Sequence, residues 1–147
     1  MSNIKLISHR GNLYGKDDLL ENNPNHIKNL NIDVEVDVWL IDSVLYLGHD
    51  YPKTKIELDF FNDSIWAHAK NVEVLYYLLS KNIHCFWHQN DDYTITSKNY
   101  IWVYPGKALI KDCIAVLPEN LYTKEQLNIC SGICSDYIDS YSLYSVG

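Results

Sequence analysis

Eight short apolar runs limit what this chain can fold into more than any other feature. They cover residues 4–7, 34–41, 44–47, 65–69, 83–87, 100–104, 113–117 and 132–138, and they are rich in β-branched and aromatic side chains. Runs of roughly four to eight such residues are strand-length, whereas a buried helix needs about ten or more. Helical signals lie between several of them. Asn23-Pro24 offers an N-cap with proline in the first turn of a helix over 24–30. Across 71–81, Val72, Val74, Leu75, Leu78 and Leu79 form a helical stripe. Thr123 can cap a short helix over 123–128, and 57–61 can add one more turn. Asp42-Ser43, between two runs, reads as a hairpin turn. By contrast, 90–99 has no helical stripe. Strands alternating with helices predict an α/β fold with a largely parallel sheet.

Composition narrows the class. At 147 residues, 47% hydrophobic and 13% aromatic, the chain reads as one globular domain over 1–147 and not as a disordered segment. Nineteen acids against twelve bases leave a net charge of −7, with no basic run, which argues against non-specific nucleic-acid binding. The N-terminus shows no charged-then-apolar leader, and no apolar stretch approaches the ~20 residues that span a bilayer. A soluble, cytoplasmic protein without a transmembrane segment is the expectation. Of the four cysteines, Cys85 and Cys113 lie in apolar runs, and Cys130 and Cys134 form no Cys-x-x-Cys pair. All four are read as buried reduced thiols.

Polar residues collect at the strand ends. The first run closes on His9-Arg10, which holds the sole arginine of the chain. Glu35 and Asp37 lie inside the second, His49-Asp50 follows the hairpin, and His68 and Lys70 close the next. Active sites of parallel α/β barrels form at the C-terminal strand ends. The two-residue strand period puts Glu35 and Asp37 on one face, and His68 and Lys70 likewise. Val34, Val36 and Val38 make the opposite face, suited to packing against helices. The acids therefore face inward, where unpaired carboxylates are costly and are normally paired or metal-bound. A solvated acidic face is the competing reading, and the valine face weighs against it. Trp66, Trp87 and Trp102 read as core, His26 as surface, His84 as core and Asp136 as structural. His88 and Glu119 are secondary candidates.

On these residues the chain resembles the glycerophosphodiester phosphodiesterase family within the phosphatidylinositol-phosphodiesterase-like barrel superfamily. The resemblance rests on His9-Arg10-Gly11, Glu21-Asn22-Asn23, Glu35-Val36-Asp37, Leu47-Gly48-His49-Asp50, His68-Ala69-Lys70 and Gly132-Ile133-Cys134-Ser135-Asp136-Tyr137, in family order. It is most specific over the first fifty residues. It implies that His9 and His49 act as acid and base, and that Arg10 and Lys70 bind the phosphate. Glu35, Asp37 and the residue at His68 would hold a divalent metal, and Glu21 would support the site by orienting Arg10. The family's usual metals are magnesium or calcium. His68 stands where the family has a glutamate, and imidazole shifts preference towards manganese or zinc.

At 147 residues the chain falls far below the ~250 of a full eight-stranded barrel. The expected fold is therefore a reduced TIM-like (β/α) barrel with several helices shortened or missing, its exposed flank open to a partner or to homodimer formation. The expected function is metal-dependent hydrolysis of a small-molecule or lipid-derived phosphodiester. The competing functions are a non-catalytic phosphate-binding module on the same scaffold and a lyase that stops at a cyclic phosphate.

Overall fold

A computed structural model describes residues 4–145. Ten strands form one mixed sheet: β1 (Lys5–His9), β2 (Asp33–Ile41), β3 (Val44–Leu47), β4 (Thr54–Ile56), β5 (Ile65–Ala69), β6 (Cys85–Phe86), β7 (Tyr93–Ile95), β8 (Ile101–Val103), β9 (Ile114–Val116) and β10 (Gly132–Ser135). Seven of them run parallel in the order β6-β5-β2-β1-β10-β9-β8. β3 and β4 extend β2 antiparallel, and β7 pairs antiparallel with β8. Asp42 and Ser43 both take positive φ, the conformation a two-residue hairpin loop requires.

The expectation of a reduced TIM-like barrel is corrected here. Only 19% of the chain is helical, and the architecture is a mixed sheet rather than an alternation of strands and helices. The helices α1 (Pro24–Ile27), α2 (Val72–Ser80) and α3 (Lys124–Leu127) have four, nine and four residues. No helix joins β8 to β9. Chain length is the reason at the β8–β9 link, where residues 104–113 are too few to turn out of one strand, cover it with a helix and enter the next. The caps nonetheless form where residue chemistry demands them. Asn23 accepts from Asn25 and His26, with Pro24 in the first turn. Thr123 and Gln126 make a reciprocal capping box.

Side chains show that the sheet curls. Phe86 on β6 and Trp102 on β8 lie six strand spacings apart in the parallel order, about 29 Å if the sheet were flat. Their ring centroids are 4.6 Å apart. No ladder joins β6 to β8. The seam is filled instead by the segment 90–99, which lacks a helical stripe: Ser97 N–H donates to Cys85 O and Thr94 Oγ1 to Trp87 O, each at 2.8 Å. The enclosed layer consists of Ile7, Trp66, Phe86, Trp102, Ile114, Val116 and Cys134.

Two further clusters lie outside the sheet. One gathers Val34, Val36 and Val38 with Val74 and Leu78 of α2. The other joins Ile4, Val103, Ala115 and Ile133 to Leu127 of α3 and to Ile138 in the 3₁₀ helix Ile138–Ser145. The valine face of β2 thus packs outward, as its periodicity predicts. No described helix is long and apolar enough to cross a membrane.

Candidate metal and acid–base site

Strand register assembles the site. His9 on β1 is the registered partner of Glu35 on β2, and Asp37 is the partner of His68 on β5. Registered neighbours point to the same face, so four ionisable side chains meet at one end of the curled sheet. Glu35 is 2% exposed and Asp37 0%, which buries two carboxylates at this end of the sheet.

Asp37 is the better satisfied of the two. Its Oδ2 accepts from Asn22 Nδ2 at 3.0 Å and lies 3.3 Å from Arg10 Nε. Asn22 Oδ1 in turn accepts from the Asp37 backbone N–H, and the Asn22 N–H donates to Arg10 O. His68 Nδ1 lies 3.2 Å from Asp37 Oδ1. Burial alone would push the Asp37 carboxyl up, but His68, Arg10 and Asn22 outweigh it and hold it at about 2. Glu35 is pushed the other way, by burial first and then by the Asp37 charge. The pair divides its roles by environment, one acid held charged and its neighbour inclined to keep a proton.

Three buried polar atoms here have no hydrogen-bond partner: Arg10 Nε, Glu35 Oε1 and Asp37 Oδ1. Buried orphaned carboxylate oxygens are costly. Glu35, Asp37 and His68 each offer a ligand atom within 4.8 Å of the others, and they form the candidate metal cluster among the described residues. His68 Nε2 donates to His88 O at 2.8 Å and its ring stacks on Phe86 at 5.1 Å. That hydrogen bond turns Nδ1 towards the carboxylates, the orientation a ligating imidazole needs. His68 holds its proton more readily than usual: burial opposes the charge, and Asp37 and Glu35 outweigh it.

His9 is fixed from the far end of the chain. Its Nδ1 lies 2.7 Å from Asp136 Oδ1, immediately after β10, while Nε2 is 3.7 Å from Glu35 Oε1. Burial works against the imidazolium, yet the Asp136 hydrogen bond and Glu35 raise its pKa above 6.5. Asn12 Nδ2 donates to both Asp136 Oδ1 and Glu21 Oε2 at 2.8 Å, which ties the loop after β1 to β10. Arg10 takes φ of 63° and is followed by Gly11 at 101°; this double left-handed turn aims the guanidinium back over Asp37. Glu21 Oε1 is 3.8 Å from Arg10 Nη1.

A cleft of about 300 Å³ opens at these side chains, lined on one side by His9, Arg10, Glu35, His49 and His68 and on the other by Phe86, Trp102, Tyr104 and Leu117. The structure therefore brings His9, Arg10, Glu35, His49 and His68 to one cavity, with Asp37 beneath. His49 stands at the lip, 41% exposed, with Nδ1 2.7 Å from Asp50 Oδ1. Lys70 is half-buried just past β5, its backbone N–H bonded to Val38 O. It does not line this cleft, and its ammonium makes no ion pair among the described residues.

Sequence reading missed Asp136 and Asn12 as site residues. Asp136 is read there as structural, although its place in the final strand motif is a usable signal. Glu119 is occupied structurally, accepting from Ser135 Oγ and Tyr141 OH at 2.7 Å. No protein-family model, curated protein or solved structure matches this chain.

Proposed function

We propose that the chain is a metal-dependent phosphodiesterase that cleaves a glycerophosphodiester, or a related small or lipid-derived phosphodiester, by two-histidine acid–base chemistry. One observation carries this reading. Two buried carboxylates, each with an oxygen that accepts no hydrogen bond, share a 4.8 Å cluster with His68 Nδ1 beneath a cleft that holds three further histidines, His9, His49 and His88, and the sole arginine. Such a donor set fits a divalent cation held by Glu35, Asp37 and His68, with manganese or zinc favoured by the imidazole over magnesium or calcium. When bound, that cation stabilises charge developing on the phosphoryl oxygens.

The remaining roles belong to protein groups. Arg10 presents its guanidinium nitrogens to the phosphate, where paired N–H donors match paired oxygens. Asp136 holds His9 by Nδ1, which leaves Nε2 towards the cleft. Burial opposes the imidazolium, but the Asp136 hydrogen bond and Glu35 outweigh it and raise the pKa, which suits His9 to be the general acid that protonates the leaving alcohol. His49, across the cleft, accepts the proton of the attacking hydroxyl. The hydroxyl oxygen of the substrate bonds to phosphorus, the ester bond to the alcohol breaks, and a cyclic phosphate results; attack of a water on that phosphorus then breaks one ring P–O bond and gives the monoester.

Phosphorus NMR with a panel of glycerophosphodiesters, under magnesium, calcium, manganese and zinc in turn, tests the reading. The expected outcome is a metal-dependent monoester signal that His9→Ala removes while the variant stays folded. A cyclic phosphate as end product reassigns the chain as a lyase. Undiminished turnover in His9→Ala would sink the acid–base assignment. No product with any metal, together with Arg10-dependent phosphate binding, would leave a binding module.

A further inference from the structure

Away from the cleft, at the opposite ends of the strands, two cysteines lie side by side. Cys113 immediately precedes β9, and Cys130 precedes β10 by two residues. The β9–β10 register pairs Ile114 with Gly132, so one step back it sets Cys113 opposite Ser131, the neighbour of Cys130. Two backbone bonds hold this end closed, as the Ser131 and Gly132 N–H groups both donate to Cys113 O. The sulfurs are 3.6 Å apart. All four cysteines are free thiols, and Cys85 and Cys134 have no cysteine partner.

We propose that Cys113 and Cys130 form a specific cross-linking site, closing to an intrachain disulfide when the protein meets a peroxide. A disulfide needs sulfurs about 2.05 Å apart and Cβ atoms about 3.5–4.5 Å apart. At 3.6 Å the two sulfurs are in contact, and rotation about the Cα–Cβ bonds is the motion that closes the remaining gap. Both thiols are buried, and Cys130 is flanked by the exposed residues Asn128 and Ile129, so a peroxide reaches the pair through local opening of this strand end.

The geometry lets the two thiols act in sequence. They share a contact in which either sulfur can donate, so either can react first. The thiol that loses its proton is the nucleophile and its neighbour the resolving thiol. The thiolate sulfur attacks one peroxide oxygen, the O–O bond breaks, and the departing hydroxide is protonated to water, which leaves a sulfenic acid. The neighbouring sulfur then attacks that sulfur, the S–O bond breaks, and a second water leaves with the neighbour's proton. Two thiols are oxidised by two electrons, and one peroxide is reduced to two waters. The bond closes a loop that contains α3 and the Glu119 turn, and so restricts the unfolded chain.

The test is to expose the folded protein to hydrogen peroxide, denature it, alkylate all remaining thiols and map the peptides by mass spectrometry. The expected result is a single cross-linked pair containing Cys113 and Cys130, two hydrogens lighter than the reduced peptides, with Cys85 and Cys134 alkylated. The thermal midpoint should rise by several degrees on oxidation and fall back with dithiothreitol. Cys130→Ser should show neither change and should trap Cys113 as a sulfenic acid that dimedone labels. Full alkylation of both cysteines after peroxide, over-oxidation of Cys113 without a cross-link, or a link to Cys85 or Cys134 would each overturn the proposal. These readouts do not depend on phosphodiesterase activity.

Discussion

Asp136 governs His9 through one hydrogen bond of 2.7 Å. The carboxylate favours the charged imidazole, so an amide in its place should lower the His9 pKa. Asp136→Asn is therefore expected to shift the His9 titration downward by NMR and to reduce turnover by about 10²-fold, the lower range for a disabled general acid. An unchanged imidazole titration would show that Asp136 only packs. Asp37 is a different case, because it holds Arg10, Asn22 and His68 together. Asp37→Ala removes the carboxylate that faces Arg10 Nε, Asn22 and His68 at once and should cost about 3 kcal/mol in urea unfolding. The same variant should abolish metal binding, read directly by calorimetry with manganese. Both acids of the Glu35-Val36-Asp37 motif are legible as inward-facing from the alternating valines. The Asp136 partnership is not legible, since its residues lie 127 positions apart.

Local chemistry at the element scale decides where the catalytic candidates sit. The β2–β3 hairpin returns the chain through Gly48, directly before His49. A Cβ at this position would overlap the Tyr51 carbonyl oxygen and press on Lys53 N at 3.0 Å. Gly48→Ala should cost about 2 kcal/mol through overpacking and displace His49 from the lip, so loss of turnover should accompany the lowered thermal midpoint. Asn71 performs a comparable task for α2. Its Oδ1 accepts from Val74 and from Leu40 of β2, and its Nδ2 donates to Leu40 O at 2.9 Å. Asn71→Ala therefore removes a helix cap and a tie to the sheet at once, at about 2 kcal/mol in denaturant unfolding. Caps, hairpin and strands follow from a few adjacent residues, which is why Asn23, Thr123 and Asp42-Ser43 signal their elements in the sequence.

The molecule as a whole depends on a curled sheet whose flanks meet through rings and a seam. His84 lies at that seam, 4% exposed, bonded to Thr96 Oγ1 at 2.8 Å and 4.2 Å from the Trp66 ring. Burial depresses its pKa to about 4, with Lys98 and Lys5 contributing. Because the folded state resists protonating His84, its stability is whole above the unfolded pKa of ~6.5 and is lost progressively as pH falls to about 4. The loss is up to about 3 kcal/mol. His9 and His68 titrate with the opposite sign, so the difference between wild type and His84→Gln isolates the effect. That difference should be flat above pH ~7 and should grow in favour of the variant from ~6.5 down to ~4; a flat difference throughout would contradict a neutral buried imidazole. By itself the sequence determined eight of the ten strands, the helix caps and which face of β2 carries the acids, because steric propensity and a two-residue period act over a few neighbours; β4 and β7 escaped it. Only the tertiary structure decided that helices would be scarce, that residues 90–99 would fill the seam, and that His9 would meet Asp136 and Cys113 would meet Cys130. Those outcomes depend on sheet curl and on the register between distant strands, which no local pattern encodes.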